Sequence, residues 1–117
     1  NLKDMTWREK YDLIFEKQGY GDNIEFSCYR LNNIQHYNLA AKLRLMHRLE
    51  CEYLIEVIIA AENNEYYEEY FAIDRDAAND FDEIRISPPN VVIDTVDVIP
   101  FEDMKGILSE WVEFTKR

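Results

Sequence analysis

The sequence predicts an α+β fold in which an antiparallel sheet of about five strands has helices packed on it, in the order αβαββββα. Two segments with helix-capping residues and helical spacing of apolar side chains lie near the ends of the chain. Between them, short apolar segments separated by turn residues favour strands. With 117 residues and 47% hydrophobic side chains, the chain can bury a core, and we expect residues 1–117 to form a single domain.

The first part of the chain predicts two helices with a strand between them. Residues 6–18 favour a helix, because Thr6 and Glu9 can form a capping box and a glycine follows as a left-handed stop. Alternating apolar and polar side chains over residues 24–31 predict a strand. Apolar side chains return at helical spacing over residues 38–50, so a second helix is expected there.

The middle of the chain predicts a β-hairpin. The nearly continuous apolar run at residues 52–61 is typical of a central strand that is buried on both faces. Asn63-Asn64 is a turn signal, and residues 66–73 would form the returning strand. Residues 74–82 are expected to be a polar connection.

A second hairpin and a final helix complete the predicted fold. Residues 83–87 and 91–99 favour strands joined at Pro88-Pro89, where neither proline can donate to a strand ladder. Pro100 can open a helix with acidic side chains in its first turn and basic ones in its last, which suits the helix dipole. The side chains expected to face inward are Phe101, Met104, Leu108, Trp111, Val112 and Phe114.

The net charge of −11 comes from one third of the chain. Residues 50–83 contain 12 acidic residues and one basic residue, Arg75, whereas the remaining 12 acidic and 12 basic residues balance. Nucleic acids and anionic membranes would repel such a chain, so we expect direct binding to neither, and a basic protein partner is favoured. The longest apolar run, residues 57–61, is far short of a membrane span. The sequence therefore predicts a soluble, cytoplasmic protein.

Motifs of common enzyme and cofactor sites are absent from the sequence. The chain has three glycines, none in a phosphate-binding loop, and it has no nucleophile elbow and no His-Glu-x-x-His motif. We therefore expect neither an enzyme nor a cofactor. The residues considered as zinc ligands lack the usual spacing, and those considered for a calcium loop lack its closing glutamate, so no metal site is expected. These are Cys28, His36, His47 and Cys51 for zinc, and Asp74, Asp76, Asn79 and Asp80 for calcium.

Two further groups of charged residues have structural explanations. Asp94 and Asp97 could form an acid–base pair, but chance pairing is common among 24 acidic residues, and we expect both on the exposed face of the last strand. A basic cluster could bind phosphate, although an internal counter-charge to the acidic half or a solvated helix face is favoured. The members of this cluster are Lys42, Arg44, His47 and Arg48. Of the residues considered as zinc ligands, we expect His47 on a helix surface and Cys28 and Cys51 in the core.

The candidate functional site is the acidic, tyrosine-rich part of the predicted hairpin. Tyrosine is enriched in interface cores, whereas a segment that served solubility alone would need no aromatic side chains. Carboxylates beside tyrosines can insert into a basic cleft, where they occupy positions that phosphates would fill. The predicted partner-binding residues are Glu62, Glu65, Tyr66, Tyr67, Glu68, Glu69, Tyr70, Asp74 and Asp76.

The C-terminal segment resembles the ending of many small bacterial immunity proteins. Residues 91–99 form a predicted strand that enters an amphipathic helix through Pro100-Phe101-Glu102-Asp103-Met104 and continues to Glu110-Trp111-Val112-Glu113-Phe114. Proteins of this kind accompany polymorphic toxins and toxins of contact-dependent growth inhibition, many of which are nucleases. The resemblance implies a protein without catalytic activity that binds one toxin domain and blocks its active site or substrate surface. Together with the acidic, tyrosine-rich segment, it leads us to expect a cognate basic toxin, a nuclease domain.

Two other classes of function remain as alternatives. A nucleic-acid mimic that inhibits a defence or restriction nuclease would use the same charge, but its acids would be spaced along an extended face as phosphates are. A small enzyme or ligand-binding domain would need an apolar cavity with convergent polar groups between sheet and helix.

Overall fold

The computed structural model describes residues 5–30, 37–73 and 83–116. In these ranges the chain forms four helices and six strands. They are α1 (Trp7–Lys10), β1 (Leu13–Gln18), β2 (Glu25–Arg30), α2 (Tyr37–Leu45), α3 (Arg48–Glu62), β3 (Tyr70–Phe71), β4 (Ile84–Ser87), β5 (Asn90–Ile93), β6 (Asp97–Pro100) and α4 (Phe101–Thr115). The predicted polar connection at residues 74–82 lies outside the described residues.

The strands form two antiparallel sheets. β1 and β2 pair as a hairpin, with Phe15 opposite Cys28, and the second sheet has the order β3-β4-β5-β6. The predicted α+β class with antiparallel strands and packed helices is confirmed. The predicted order αβαββββα is wrong in detail, because the first predicted helix contains a strand and the predicted central strand is a helix.

The first predicted helix ends after one turn. Its capping box is present, with the Glu9 amide donating to Thr6 Oγ1 at 3.2 Å and the Thr6 amide donating to Glu9 Oε1 at 3.1 Å. The helix stops because Asp12 has a left-handed φ of 56°, and the next six residues pair as β1. Tertiary contacts favour the strand, since Phe15 packs edge-on against Trp111 at 4.9 Å between ring centroids.

The predicted central strand at residues 52–61 is part of the 15-residue helix α3. Its buried side chains recur at helical spacing, at Cys51, Leu54, Ile58 and Ala61. Of the apolar residues between them, Tyr53 and Ile59 are exposed and Ile55 and Val57 are partly buried, so the run is not buried on two faces. The predicted helix at residues 38–50 is correspondingly divided between α2 and α3.

His47 lies where α2 and α3 are separated and is the N-cap of α3. The prediction that it lies on a helix surface is therefore wrong. The His47 Nδ1 accepts a hydrogen bond from the Leu49 amide at 3.3 Å, and the His47 amide donates to Glu50 Oε1 at 2.8 Å. This is a capping box with histidine in the place usually taken by serine or threonine.

The predicted second hairpin is confirmed as β4 and β5, which are joined at Pro88-Pro89 with Ser87 opposite Asn90. The predicted strand at residues 91–99 is in fact two strands, β5 and β6. A turn separates them, where Asp94 and Thr95 have φ values of 53° and 62°. Of the predicted returning strand at residues 66–73, Tyr70–Phe71 forms β3, which pairs with β4 and not with the segment before it.

The final helix is confirmed as α4, and it lies at the centre of the core. The expectation of basic residues in its last turn is wrong, because the helix ends at Thr115 and Lys116 is its C-cap. The helix packs against α1, α3, β5 and β6, while α2 packs against β2, β5 and β6. The predicted inward-facing side chains are buried or, for Phe114, partly buried, and the buried side chains form one continuous cluster. Within the described ranges, no helix combines the length and the apolar character needed to cross a bilayer.

Candidate partner-binding surface

The acidic, tyrosine-rich segment begins at the C-terminal end of α3. Asn64 has a φ of 58°, and its amide donates to the Ala61 carbonyl at 3.3 Å. The Glu65 amide donates to the Ala60 carbonyl at 2.9 Å. This pair of hydrogen bonds is a Schellman motif, with asparagine at the left-handed position. The Asn63-Asn64 turn signal therefore ends a helix instead of joining two strands.

Five of the predicted partner-binding residues are exposed on the segment that follows: Glu65, Tyr66, Glu68, Glu69 and Tyr70. Tyr66 is 84% exposed and Tyr70 is 58% exposed. The Tyr66 hydroxyl donates to Glu68 Oε1 at 2.8 Å, and this hydrogen bond to a carboxylate raises the pKa of Tyr66. The Ile86 amide donates to the Glu69 carbonyl at 2.7 Å and so ties the segment to β4.

The other predicted residues differ from these five. Tyr67 is partly buried and packs against the core, so it holds the segment in place. Glu62 accepts a hydrogen bond from Lys105 Nζ at 2.7 Å, which pairs its charge with α4. Asp74 and Asp76 lie outside the described residues.

A groove about 350 Å³ in volume lies between α3 and residues 68–72. Its walls are mainly apolar, with glutamates at the rim, and they consist of Leu49, Glu50, Tyr53, Val57, Glu68, Tyr70, Phe71 and Ala72. The rings of Tyr53 and Phe71 pack across it, with centroids 5.6 Å apart. Leu49 is 60% exposed and Tyr53 is 56% exposed, so the apolar side chains remain accessible.

The sequence prediction missed Leu49, Tyr53 and Phe71 as parts of this surface. The signal was present, because Leu49, Tyr53 and Val57 are spaced four residues apart, as on one face of a helix. It was obscured because the same residues belong to an apolar run that also fits a strand. The corrected surface combines the predicted acidic segment with the exposed face of α3.

The surface is strongly negative. Residues 48–71 contain seven glutamates and one basic residue, Arg48, together with four tyrosines. Glu52 and Glu56 are exposed on α3 beside the groove-lining residues. Aromatic side chains surrounded by charged ones are the usual composition of a protein-binding patch, in which the aromatic centre is desolvated and the rim stays wet.

The basic cluster lies on a different part of the molecule. Arg44, His47 and Arg48 line a cavity of about 490 Å³ together with residues of β2 and α4. Lys42 is 3% exposed and its Nζ lies 3.3 Å from Asp94 Oδ1. Lys42 is therefore an internal counter-charge, and Asp94, which lies beside it, belongs to the β5–β6 turn.

The expectation that Asp94 and Asp97 are exposed is wrong. Asp97 is 4% exposed, and its Oδ2 accepts a hydrogen bond from the Leu39 amide in the first turn of α2 at 2.8 Å. Asp94 is partly buried, and its Oδ1 accepts from the Glu83 amide at 2.7 Å. Asp97 links the start of β6 to α2 through the Leu39 amide. Asp94 links the β5–β6 turn to the residue before β4 through the Glu83 amide, and to α2 through Lys42.

Cys28 and Cys51 are buried in the core as expected. Burial raises the pKa of Cys28 to about 12. Burial, together with the nearby charges of Glu50 and Glu52, raises the pKa of Cys51 to about 12. Of the residues that the structure describes, no three histidine, cysteine, aspartate or glutamate side chains form a group that could hold a metal ion.

Compared with protein-family models, with curated proteins and with solved structures, the chain shows no match.

Proposed function

We propose that this chain is a cytoplasmic immunity protein that binds and neutralises a cognate basic toxin domain, a nuclease. The observation that carries the proposal is the joint exposure of Glu65, Tyr66, Glu68, Glu69 and Tyr70 on one segment beside an apolar groove. The carboxylates attract a basic domain and speed its encounter, and the tyrosines supply contact area that is desolvated in the complex. The protein acts by covering the toxin and performs no chemistry itself.

The apolar groove favours this function over a nucleic-acid mimic. A phosphate backbone has no counterpart to the exposed leucine and tyrosine side chains of α3, so a mimic would gain nothing from them. A cognate toxin bound through a surface of its own gains both the apolar contact and the charge attraction, whereas the nuclease bound by a mimic presents a site that fits phosphates.

The proposal requires a toxin-like domain encoded in a neighbouring reading frame, and co-expression with that domain tests it. We expect the wild-type protein to copurify with this domain and to restore growth of cells that express it. Joint substitution of Glu65→Lys, Glu68→Lys and Glu69→Lys should abolish both effects. The matched control is Asp22→Lys, Glu25→Lys and Glu113→Lys, which changes the net charge equally at exposed positions outside the surface. Equal protection by both triple variants would refute the proposed surface, and a lack of copurification by the wild type would refute the function.

A further inference from the structure

We propose that the groove between α3 and residues 68–72 receives the apolar face of a basic amphipathic helix of the partner. This inference rests on the proposed function and specifies what the toxin presents. The exposed acidic segment explains attraction at a distance, whereas the groove determines which side chains are buried on contact.

The shape of the groove favours a helix. Leu49, Tyr53 and Val57 form a stripe about 12 Å long on α3, since each residue of a helix rises about 1.5 Å. Tyr70 and Phe71 form the opposite wall. Because the Tyr53 and Phe71 rings pack across the groove, the incoming helix would lie over them and place apolar side chains, spaced three or four residues apart, against this surface. An added strand is less favourable, because β3 offers an edge of only two residues.

The charge around the groove selects a basic helix. Glu52, Glu56 and Glu68 are exposed on its two sides, and the basic residues nearby are Arg48 on α3 and Arg85, which lies opposite Tyr70 in β4. Lysine or arginine side chains that flank the apolar face of the incoming helix would lie against these carboxylates. An acidic helix with the same apolar face would be repelled.

Three synthetic peptides of about 15 residues, or four helical turns, test this inference on the full chain without any toxin. The first has leucines on one helical face and lysines elsewhere, the second replaces the lysines by glutamates, and the third replaces the leucines by serines. Binding is measured by fluorescence anisotropy. We expect the first peptide to bind at least about tenfold more tightly than either of the others.

Substitutions in the protein locate the binding. Leu49→Gln and Tyr53→Gln should each weaken binding of the leucine–lysine peptide by about tenfold, as expected for groove residues near the centre of an interface. The control is Val96→Gln, because Val96 is 66% exposed, similar to Leu49 at 60%, and lies in the β5–β6 turn. Circular dichroism of each variant checks that the fold is retained.

Each outcome decides the inference. Equal binding of the leucine–lysine and serine–lysine peptides, or equal loss in the Leu49→Gln and Val96→Gln variants, would overturn it, as would a lack of binding by any peptide. Since no toxin is used, failure here would leave capture of the toxin domain as an independent test of the proposed function. Success here with no toxin capture would refute the proposed function alone.

Discussion

The indole ring of Trp7 lies directly over the backbone of Gly106, so that a methyl group at position 106 would overlap the ring. The same helix turn is held by Glu110, whose carboxylate accepts hydrogen bonds from the Trp7 amide at 2.6 Å and the Arg8 amide at 2.9 Å. The Tyr11 hydroxyl donates to the Asp103 carboxylate, and burial followed by this hydrogen bond raises the pKa of Tyr11. The short helix α1 is therefore fixed by α4, and glycine is required where the two meet.

Gly106→Ala should destabilise the protein although alanine is the better helix former. The helix propensity gain is about 1 kcal/mol, and we expect overlap with Trp7 to outweigh it and to leave a net loss of about 1–3 kcal/mol in the free energy of unfolding. Urea denaturation measures this value. The control is Ser109→Ala on the exposed face of α4, which should be neutral or slightly stabilising. In a Trp7→Ala background the penalty of Gly106→Ala should disappear, and its persistence would contradict the contact.

Asp97→Ala should lower the free energy of unfolding by about 2–3 kcal/mol, because it removes a buried carboxylate and leaves the buried Leu39 amide without its acceptor. Asp22→Ala, at an exposed turn residue, should change stability by less than about 0.5 kcal/mol. Thermal or urea unfolding of both variants makes the comparison. Equal stability of the two would show that Asp97 does not anchor α2.

The two buried cysteines should be inert in the folded protein and should make stability fall at alkaline pH. Their folded-state pKa values are raised to about 12 from an ordinary value of 9.0. Folding thus favours the neutral thiol. The stabilisation that this gives the folded state is fully present below pH 9 and is lost as the pH rises from 9 towards 12. In that pH range, each thiol should lower the free energy of unfolding by on the order of 1 kcal/mol per pH unit.

Two measurements check this prediction. A thiol-reactive chromophore at pH 8 should label Cys28 and Cys51 only after unfolding. The double variant Cys28→Ala and Cys51→Ala should lose less stability than the wild type between pH 9 and pH 10.5. Rapid labelling of the native protein, or identical pH profiles, would show that the thiols are accessible.

Tyr66→Ala should weaken binding of the toxin domain by about tenfold or more, because tyrosines in the centre of an interface contribute more than 1 kcal/mol. Tyr20→Ala is a matched control, since Tyr20 is 92% exposed and Tyr66 is 84% exposed, and Tyr20 lies in the turn between β1 and β2. Isothermal titration calorimetry gives both dissociation constants. A similar effect of the two substitutions would mean that loss of any exposed tyrosine, not of this one, weakens the complex.

The sequence predicted the parts of the fold whose signals are local. The capping box at Thr6, the hairpin at Pro88-Pro89 and the helix after Pro100 are each specified by a few neighbouring residues, and all three are present. The division of residues 6–18 into the helix α1 and the strand β1 could not be predicted from neighbouring residues. It depends on Gly106 and Glu110, which lie about a hundred residues later and hold a single helical turn against α4.

The sequence predicted the acidic segment of the candidate site, but the apolar run before this segment was assigned to a strand, whereas the run is a helix. The side chains from Glu65 to Tyr70 are exposed as their composition indicates, except for Tyr67, which packs against the core. The apolar run before this segment fits both a buried strand and a helix, and periodicity alone decides poorly between them for short runs. The unusual histidine cap at residue 47 and the asparagine at the end of α3 fix the helix, and the helix places Leu49 and Tyr53 on the surface.

Mapping the toxin contact by nuclear magnetic resonance tests the central claim most directly. The ¹⁵N-labelled protein would be titrated with the unlabelled toxin domain, and amide chemical-shift changes would be followed along the chain. We predict that the largest changes fall within residues 49–71, on α3 and the acidic segment. Changes centred instead on the cavity lined by Arg44 and His47, or on the β1–β2 hairpin, would contradict the assignment of the acidic, aromatic face as the surface that binds the toxin.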